Sequence, residues 1–101
     1  MARLSSVVKN DRRLKMSKNQ MTKRATLKAV IIDAGASDAD KTKALKKLSE
    51  MPRNGSHTRY RKRCVLTGRP RGIVGDFGLC RNKFRDLAHM GMLPGVTKAS
   101  W

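Results

Sequence analysis

The chain has 101 residues, enough for one ordinary domain or two smaller pieces in series. Lys and Arg number 24 against 7 Asp and Glu, a formal net charge of +17 that repels itself in a compact monomer and calls for a polyanion or a mobile chain. The longest apolar run, AVII at residues 29 to 32, excludes a membrane span, and four aromatic residues (Tyr60, Phe77, Phe84 and Trp101) are too few for an autonomous globule of this length.

Residues 4 to 32 contain neither Pro nor Gly and are expected to form one long helix. Leu4, Val7, Leu14, Met21, Ala25, Ala29 and Ile32 fall in one arc at the helical period. That stripe is thin. Arg3, Lys9, Arg12, Arg13, Lys15, Lys18, Lys23, Arg24 and Lys28 surround it, and only Asp11 opposes them before Asp33. A helix charged on every side frays alone and is ordered by a phosphate-lined groove, unless it is simply a solvated surface helix. The first fifteen residues lack the apolar core of a secretory signal, although their basic, Ser-containing character is shared with mitochondrial transit peptides.

Gly35 suits a helix C-cap and Ser37 an N-cap, with Asp40 three residues further on. Asp38 and Asp40 then lie at the positive end of a second helix, and Lys46 and Lys47 near its negative end. Ala44, Leu45, Leu48 and Met51 share a face before Pro52 closes the element. The patch Leu27, Val30 and Ile31 is the natural partner for that face, which makes residues 1–52 a basic arm with a helical hairpin.

Residues 53–62 are expected as an Arg-rich extended linker. From Arg53 to Arg71 there are seven basic residues (Arg53, Arg59, Arg61, Lys62, Arg63, Arg69 and Arg71) and no acid, while Pro52, Asn54, Gly55 and Ser56 favour irregular backbone. Dense Arg with Asn, Ser, Thr and one Tyr is what phosphate contact with occasional base stacking requires. A nuclear-localisation run has the same composition.

In residues 63–101, CVL and GIV flank the turn-prone TGRPRG, which predicts a short irregular hairpin. A helix is expected from about Leu79 to Met90, started by Asp76 or Gly78 and followed by Gly91. Its apolar arc would be Leu79, Cys80, Phe84, Leu87 and Ala88, with Phe77 beneath, and the tail would turn at Pro94 and Gly95. Cys64 and Cys80, the only cysteines, are read as free thiols of a reducing compartment, although a disulfide or half of a metal site fits the spacing as well. No elbow, oxyanion feature or orienting acid accompanies Cys64 with His57 or His89, so an enzyme is not expected.

PRNGSHTRYRKRCVLTGRPRG, FGLCRNKFRDLAHMGMLPG and the terminal KASW resemble the family of small-subunit ribosomal protein fourteen. The likeness covers nearly the whole chain, is strongest from Pro52 to Trp101, and matches the long, zinc-free bacterial or organellar form. It implies a mostly α, irregular fold: a long basic helix and helical hairpin, a small zinc-ribbon-like α+β module lacking zinc, and an extended C-terminal tail. It implies a structural role in the small-subunit head, bound to the 3′ major domain of 16S-type ribosomal RNA. Proteins three, ten and nineteen of that subunit would be its neighbours, with no membrane partner and no independent homo-oligomer. The ribosome would be that of a bacterial cytoplasm, a mitochondrion or a plastid. A nucleoid-like basic nucleic-acid binder is the alternative on charge alone.

Carried over by position, the RNA contacts fall on Arg53, Asn54, Arg59, Arg61, Arg63, Arg69, Pro70 and Arg71, with Lys98, Ser100 and Trp101 in the tail; Lys62, Arg85 and Arg81, which with Phe77 and Phe84 would also seat the last helix, are expected as contacts beside them. Arg12 and Arg13 join them on the charge of the arm. The family is commonly basic where this chain has Gly75 and Asp76, so Asp76 is expected to cap the last helix instead. In the family's short form four cysteines hold zinc at a spacing that lands here on Cys64, Thr67, Cys80 and Lys83. Thr and Lys are poor partners for a tetrahedral zinc ion, so no cofactor is expected, and both cysteines become packing residues. Val65, Leu66, Ile73, Val74, Phe77 and Phe84 would then supply the packing.

Overall fold

The computed structural model describes residues 1–100; Trp101, expected as an RNA contact, lies outside them. The fold is mostly helical. Helix α1 spans Leu4–Ile32 and helix α2 Asp38–Glu50; single 3-10 turns follow at Arg53–Gly55 and His57–Arg59. Strands β1 (Ile73–Val74) and β2 (Leu79–Cys80) precede helix α3 (Arg81–His89). Two compact units result, one of residues 8–60 and the other of residues 1–7 with residue 61 onward.

In the first unit α2 starts as its sequence demands. Ser37 Oγ accepts the Asp40 amide at 3.3 Å and donates to the Asp40 carboxylate at 2.8 Å, a cap of the kind that contributes about 1 kcal/mol. Asp38 and Asp40 occupy the first turn and Lys47 the last. The end of α1 differs from expectation. Gly35 is not in the left-handed region; its amide donates to Asp33 Oδ1 at 3.0 Å, so the aspartate turns the chain.

After α2 the chain returns along α1. Arg24 Nη2 donates to the Pro52 carbonyl at 2.7 Å, and Gly55 lies so close to the Gln20 side chain that a Cβ would overlap it. The apolar arc expected on α1 is not the buried one: Leu4, Met21, Ala25, Ala29 and Ile32 are exposed. Instead Asn10, Arg13, Ser17, Gln20, Arg24, Leu27 and Ile31, alternately three and four residues apart, are buried or half-buried. At Gln20 and Arg24 this seam meets backbone that offers carbonyls and a glycine, so a polar face serves there. Further along, Leu27, Ile31, Leu48 and Met51 are half-buried and Ala44 is buried, whereas Val30 and Leu45 of the expected contact stay exposed.

The second unit contains a hairpin other than the one expected. CVL and GIV do not pair. Ile73 and Val74 pair antiparallel with Leu79 and Cys80, in the register Ile73 to Cys80 and Val74 to Leu79. Gly78, at φ +64°, closes the turn by donating to the Val74 carbonyl at 2.9 Å. Leu79 and Cys80 therefore belong to a strand, and α3 begins two residues later than expected. No side chain caps α3; Asp76 sits exposed in the hairpin turn. The other end of α3 follows expectation. Gly91 (φ +70°) donates to Ala88 O at 3.1 Å and Met92 to Leu87 O at 3.0 Å, a Schellman-type stop.

A small core ties this unit together. Cys64, Leu79 and Cys80 are buried, and Ile73, Phe77, Phe84, Leu87 and Leu93 pack against them. The Phe77 and Phe84 rings meet at 5.4 Å and 56°, a favourable tilted pair. Val65 and Leu66, expected to pack there, point to solvent at 80% and 53% exposure.

Gly68 tests this packing. At φ +68° its missing Cβ would lie 3.0 Å from Val7 Cγ2 and 3.1 Å from Ala2 Cβ. Gly68→Ala is expected to destabilise this unit by roughly 1–2 kcal/mol. Gly75→Ala, with ordinary φ and nothing within 4 Å, should change stability by less than about 0.5 kcal/mol. Amide hydrogen exchange of residues 61–90 measures both.

Candidate nucleic-acid interface

In the second unit the turn at residues 64–69 carries Arg69 and adjoins Lys62 and Arg71 in the sequence. Gly68 N donates to Cys64 O at 2.8 Å and Cys64 N to Arg69 O at 2.9 Å, which folds the turn shut. Val65 N donates to Gly78 O at 3.0 Å and so attaches the turn to the free side of the hairpin, while Arg81 N donates to Gly72 O at 2.8 Å on the other side. Because Gly72 and Arg81 are bonded, the pair Ile73 and Cys80 is the non-hydrogen-bonded one, and the Cys80 amide faces away from β1. It reaches the Cys64 sulfur.

Burial pushes the Cys64 thiol up. The Thr67 hydroxyl and the amides of Cys80, Thr67 and Leu66 all favour the thiolate, and together they bring it from 9.0 down to about 6. Thr67 Oγ1 also lies 3.8 Å from Cys80 Sγ, so one hydroxyl bridges the two sulfurs. Both cysteines are free thiols at 2% exposure. Zinc does not fit this arrangement. Of the four positions, Thr67 offers a hydroxyl already engaged with sulfur, and the Lys83 ammonium is 3.2 Å from the Asp86 carboxylate. Among the described residues no three His, Cys, Asp or Glu side chains converge as metal ligands.

Several expected contact residues are instead occupied within the protein. Arg63 is half-buried and donates from Nη1 to Gly68 O at 2.9 Å, clasping the turn from inside. Arg61 Nε donates to Pro70 O at 2.9 Å, and Arg59 Nη1 to Asn54 Oδ1 at 2.9 Å. Arg61 and Arg59 remain exposed, so each keeps part of its guanidinium toward solvent. Arg24, which sequence reading placed only in the general charge of the arm, has the same double character; a carbonyl partner 28 residues away leaves no local signal.

The remaining residues form groups. Arg53 and Arg59 line an open cleft of about 450 Å³ in the first unit. Arg69 and Pro70 line another of about 400 Å³ with Asn82 and Lys83. Arg81, Arg85 and Lys98 share a third of about 450 Å³, floored by Phe84 and Val96. Arg12, Lys62, Arg71 and Ser100 are exposed outside these groups, and Arg13 is half-buried in α1. No carboxylate lines any of the three clefts. The ion pairs among the described residues, Lys43 with Asp40 and Lys83 with Asp86, are exposed and local, so they neutralise little of the surplus. No described helix is long and apolar enough to cross a membrane.

Residues 47–100 match the family model described as ribosomal protein S14p/S29e, over half of the chain. Proteins named small ribosomal subunit protein uS14 from Zymomonas mobilis, Sphingopyxis alaskensis and Novosphingobium aromaticivorans are each 50% identical over 101 residues, covering all of both chains. The chain belongs to the ribosomal protein S14 family. It is accordingly a structural protein and not an enzyme. The segment matched by the S14 model begins within α2 and takes in both 3-10 turns, the 64–69 turn, the hairpin and α3. All three clefts have most of their lining in it.

The bridged thiolate gives a pH dependence. With the thiol at 9.0 when unfolded and about 6 when folded, its contribution is fully present above pH 9, declines below it, and is absent below pH 6. Thiolate absorbance near 240 nm should therefore titrate with a midpoint of about 6, and Thr67→Val, which deletes the hydroxyl donor, should move that midpoint upward. In denaturant unfolding, the gap between wild type and Cys64→Ser should widen from pH 6 to pH 9. A midpoint near 9 in the folded wild type would contradict the arrangement.

Proposed function

We propose that this S14-family chain is a structural constituent of the small ribosomal subunit, bound to 16S-type ribosomal RNA in the head. The observation that carries it is the full-length identity to uS14 proteins combined with basic clefts that hold no carboxylate. In this reading residues 1–52 are the basic arm and hairpin, 53–62 the Arg-rich link, and 63–101 a zinc-ribbon-like module without zinc whose tail extends into RNA or a neighbouring subunit. Proteins three, ten and nineteen of the small subunit are the neighbours, and the site is the 3′ major domain near the decoding region. The bacterial relatives favour a cytoplasmic ribosome over an organellar one.

The clefts divide the work on RNA. Arg53 and Arg59 in one cleft, Arg69 with Pro70 in another, and Arg81, Arg85 and Lys98 in the third supply guanidinium forks and ammonium groups to phosphates, with Arg71 exposed beside them. Arg12, Arg13, Asn54, Lys62, Ser100 and Trp101 extend the footprint, while Arg61 and Arg63 contribute more by holding the 64–70 turn in shape. Arg63→Lys would keep the charge and lose the planar fork, so it should weaken the turn rather than the charge contacts.

Sucrose-gradient sedimentation tests the proposal: the protein should co-migrate with the small subunit at high salt, and migration as free protein would refute it. Binding to ribosomal RNA should weaken steeply with salt, and Arg69→Gln with Arg71→Gln should reduce the log–log slope by roughly one per residue removed. A flat salt response, or equal affinity for duplex DNA, would favour a general nucleoid-like binder.

A further inference from the structure

In the first unit, an open cleft of about 450 Å³ lies between α1 and the 3-10 turns. Its lining is mainly apolar, with Leu14, Met21 and Ala25 from one side of α1 and the His57 ring from the second turn. Lys18 and Lys28 stand at its rim and no carboxylate lines it. Met21 is 71% exposed, Ala25 and His57 are exposed as well, and Leu14 is half-buried. In a chain of net charge +17, an apolar floor left open between cations matches a ligand with a flat uncharged face and flanking negative charge.

An unpaired nucleotide has that chemistry. Its base offers a π face to a methionine, an alanine methyl and an imidazole, and its phosphates lie within reach of rim ammonium groups. A cleft of about 450 Å³ has room for one nucleotide. We propose that it is a nucleobase subsite, in which one extruded base of the bound RNA stacks on His57 over Met21 and Ala25 while Lys18 and Lys28 hold the adjoining phosphates. His57 is suited to this role because it is exposed, with its ring paired to that of Tyr60 at 6.1 Å and 35°. The subsite rests on the ribosomal RNA reading and adds a position where a single base, rather than the backbone, is recognised.

Base and phosphate contacts separate by their salt dependence. With full-length protein and ribosomal RNA, His57→Ala should lower affinity roughly tenfold and leave the salt slope unchanged. His57→Phe, which keeps a stacking ring, should restore it. Lys18→Gln should instead reduce the slope by roughly one. Ultraviolet crosslinking of the wild-type complex should leave a nucleotide adduct on the peptide bearing Met21 or His57. His57→Ala within twofold of wild type, or a crosslink from this cleft to protein rather than nucleotide, would overturn the subsite while leaving the ribosomal assignment standing. Failure of the wild type to bind ribosomal RNA at all would overturn both.

Discussion

Hydrogen bonds converge on Cys64 and shape the second unit. Its amide and carbonyl close the 64–69 turn through Arg69 and Gly68, and its sulfur accepts from Thr67, Leu66 and Cys80. The last of these joins the turn to the hairpin that leads into α3. A module with so few buried apolar residues has little hydrophobic stabilisation to draw on. Directional bonds around one buried sulfur take over that role, and they leave Arg71, Arg81 and Arg85 exposed.

The same economy governs the first unit. α1 buries asparagine and serine and leaves most of its apolar arc in solvent, the reverse of a helix selected to fold a globule. Gln20 and Arg24 meet the backbone near Pro52 and Gly55, and carbonyl acceptors reward polar partners. An exposed apolar and basic surface is then available to a ligand that is itself part aromatic and part anionic. Folding thus uses the polar seam of α1 and leaves its apolar and basic face exposed.

Arginine has two uses here, and its position along the chain does not separate them. Arg63 reaches Gly68 O and Arg61 reaches Pro70 O, each fastening the segment that carries Arg69 and Arg71. Lys62 between them is exposed. A run of like residues thereby becomes an alternation of struts and exposed cations, and only the bond partners tell which is which.

The sequence by itself determined the helices, because an uninterrupted stretch from residue 4 to 32, a Ser37 cap and a Gly91 stop are local instructions. Charge and motif spacing also carried the family and the kind of ligand. Tertiary structure decided what depends on distant partners. Leu79 and Cys80 have the period of a helix start, yet they pair with Ile73 and Val74, since a strand there satisfies backbone groups that a longer helix would leave open. Val65 and Leu66 look like core and are not, because closing the turn through Cys64 and Gly68 turns their side chains outward. The seam of α1 was hidden for the complementary reason: hydrophobic periodicity finds faces that meet side chains, and part of this face meets backbone.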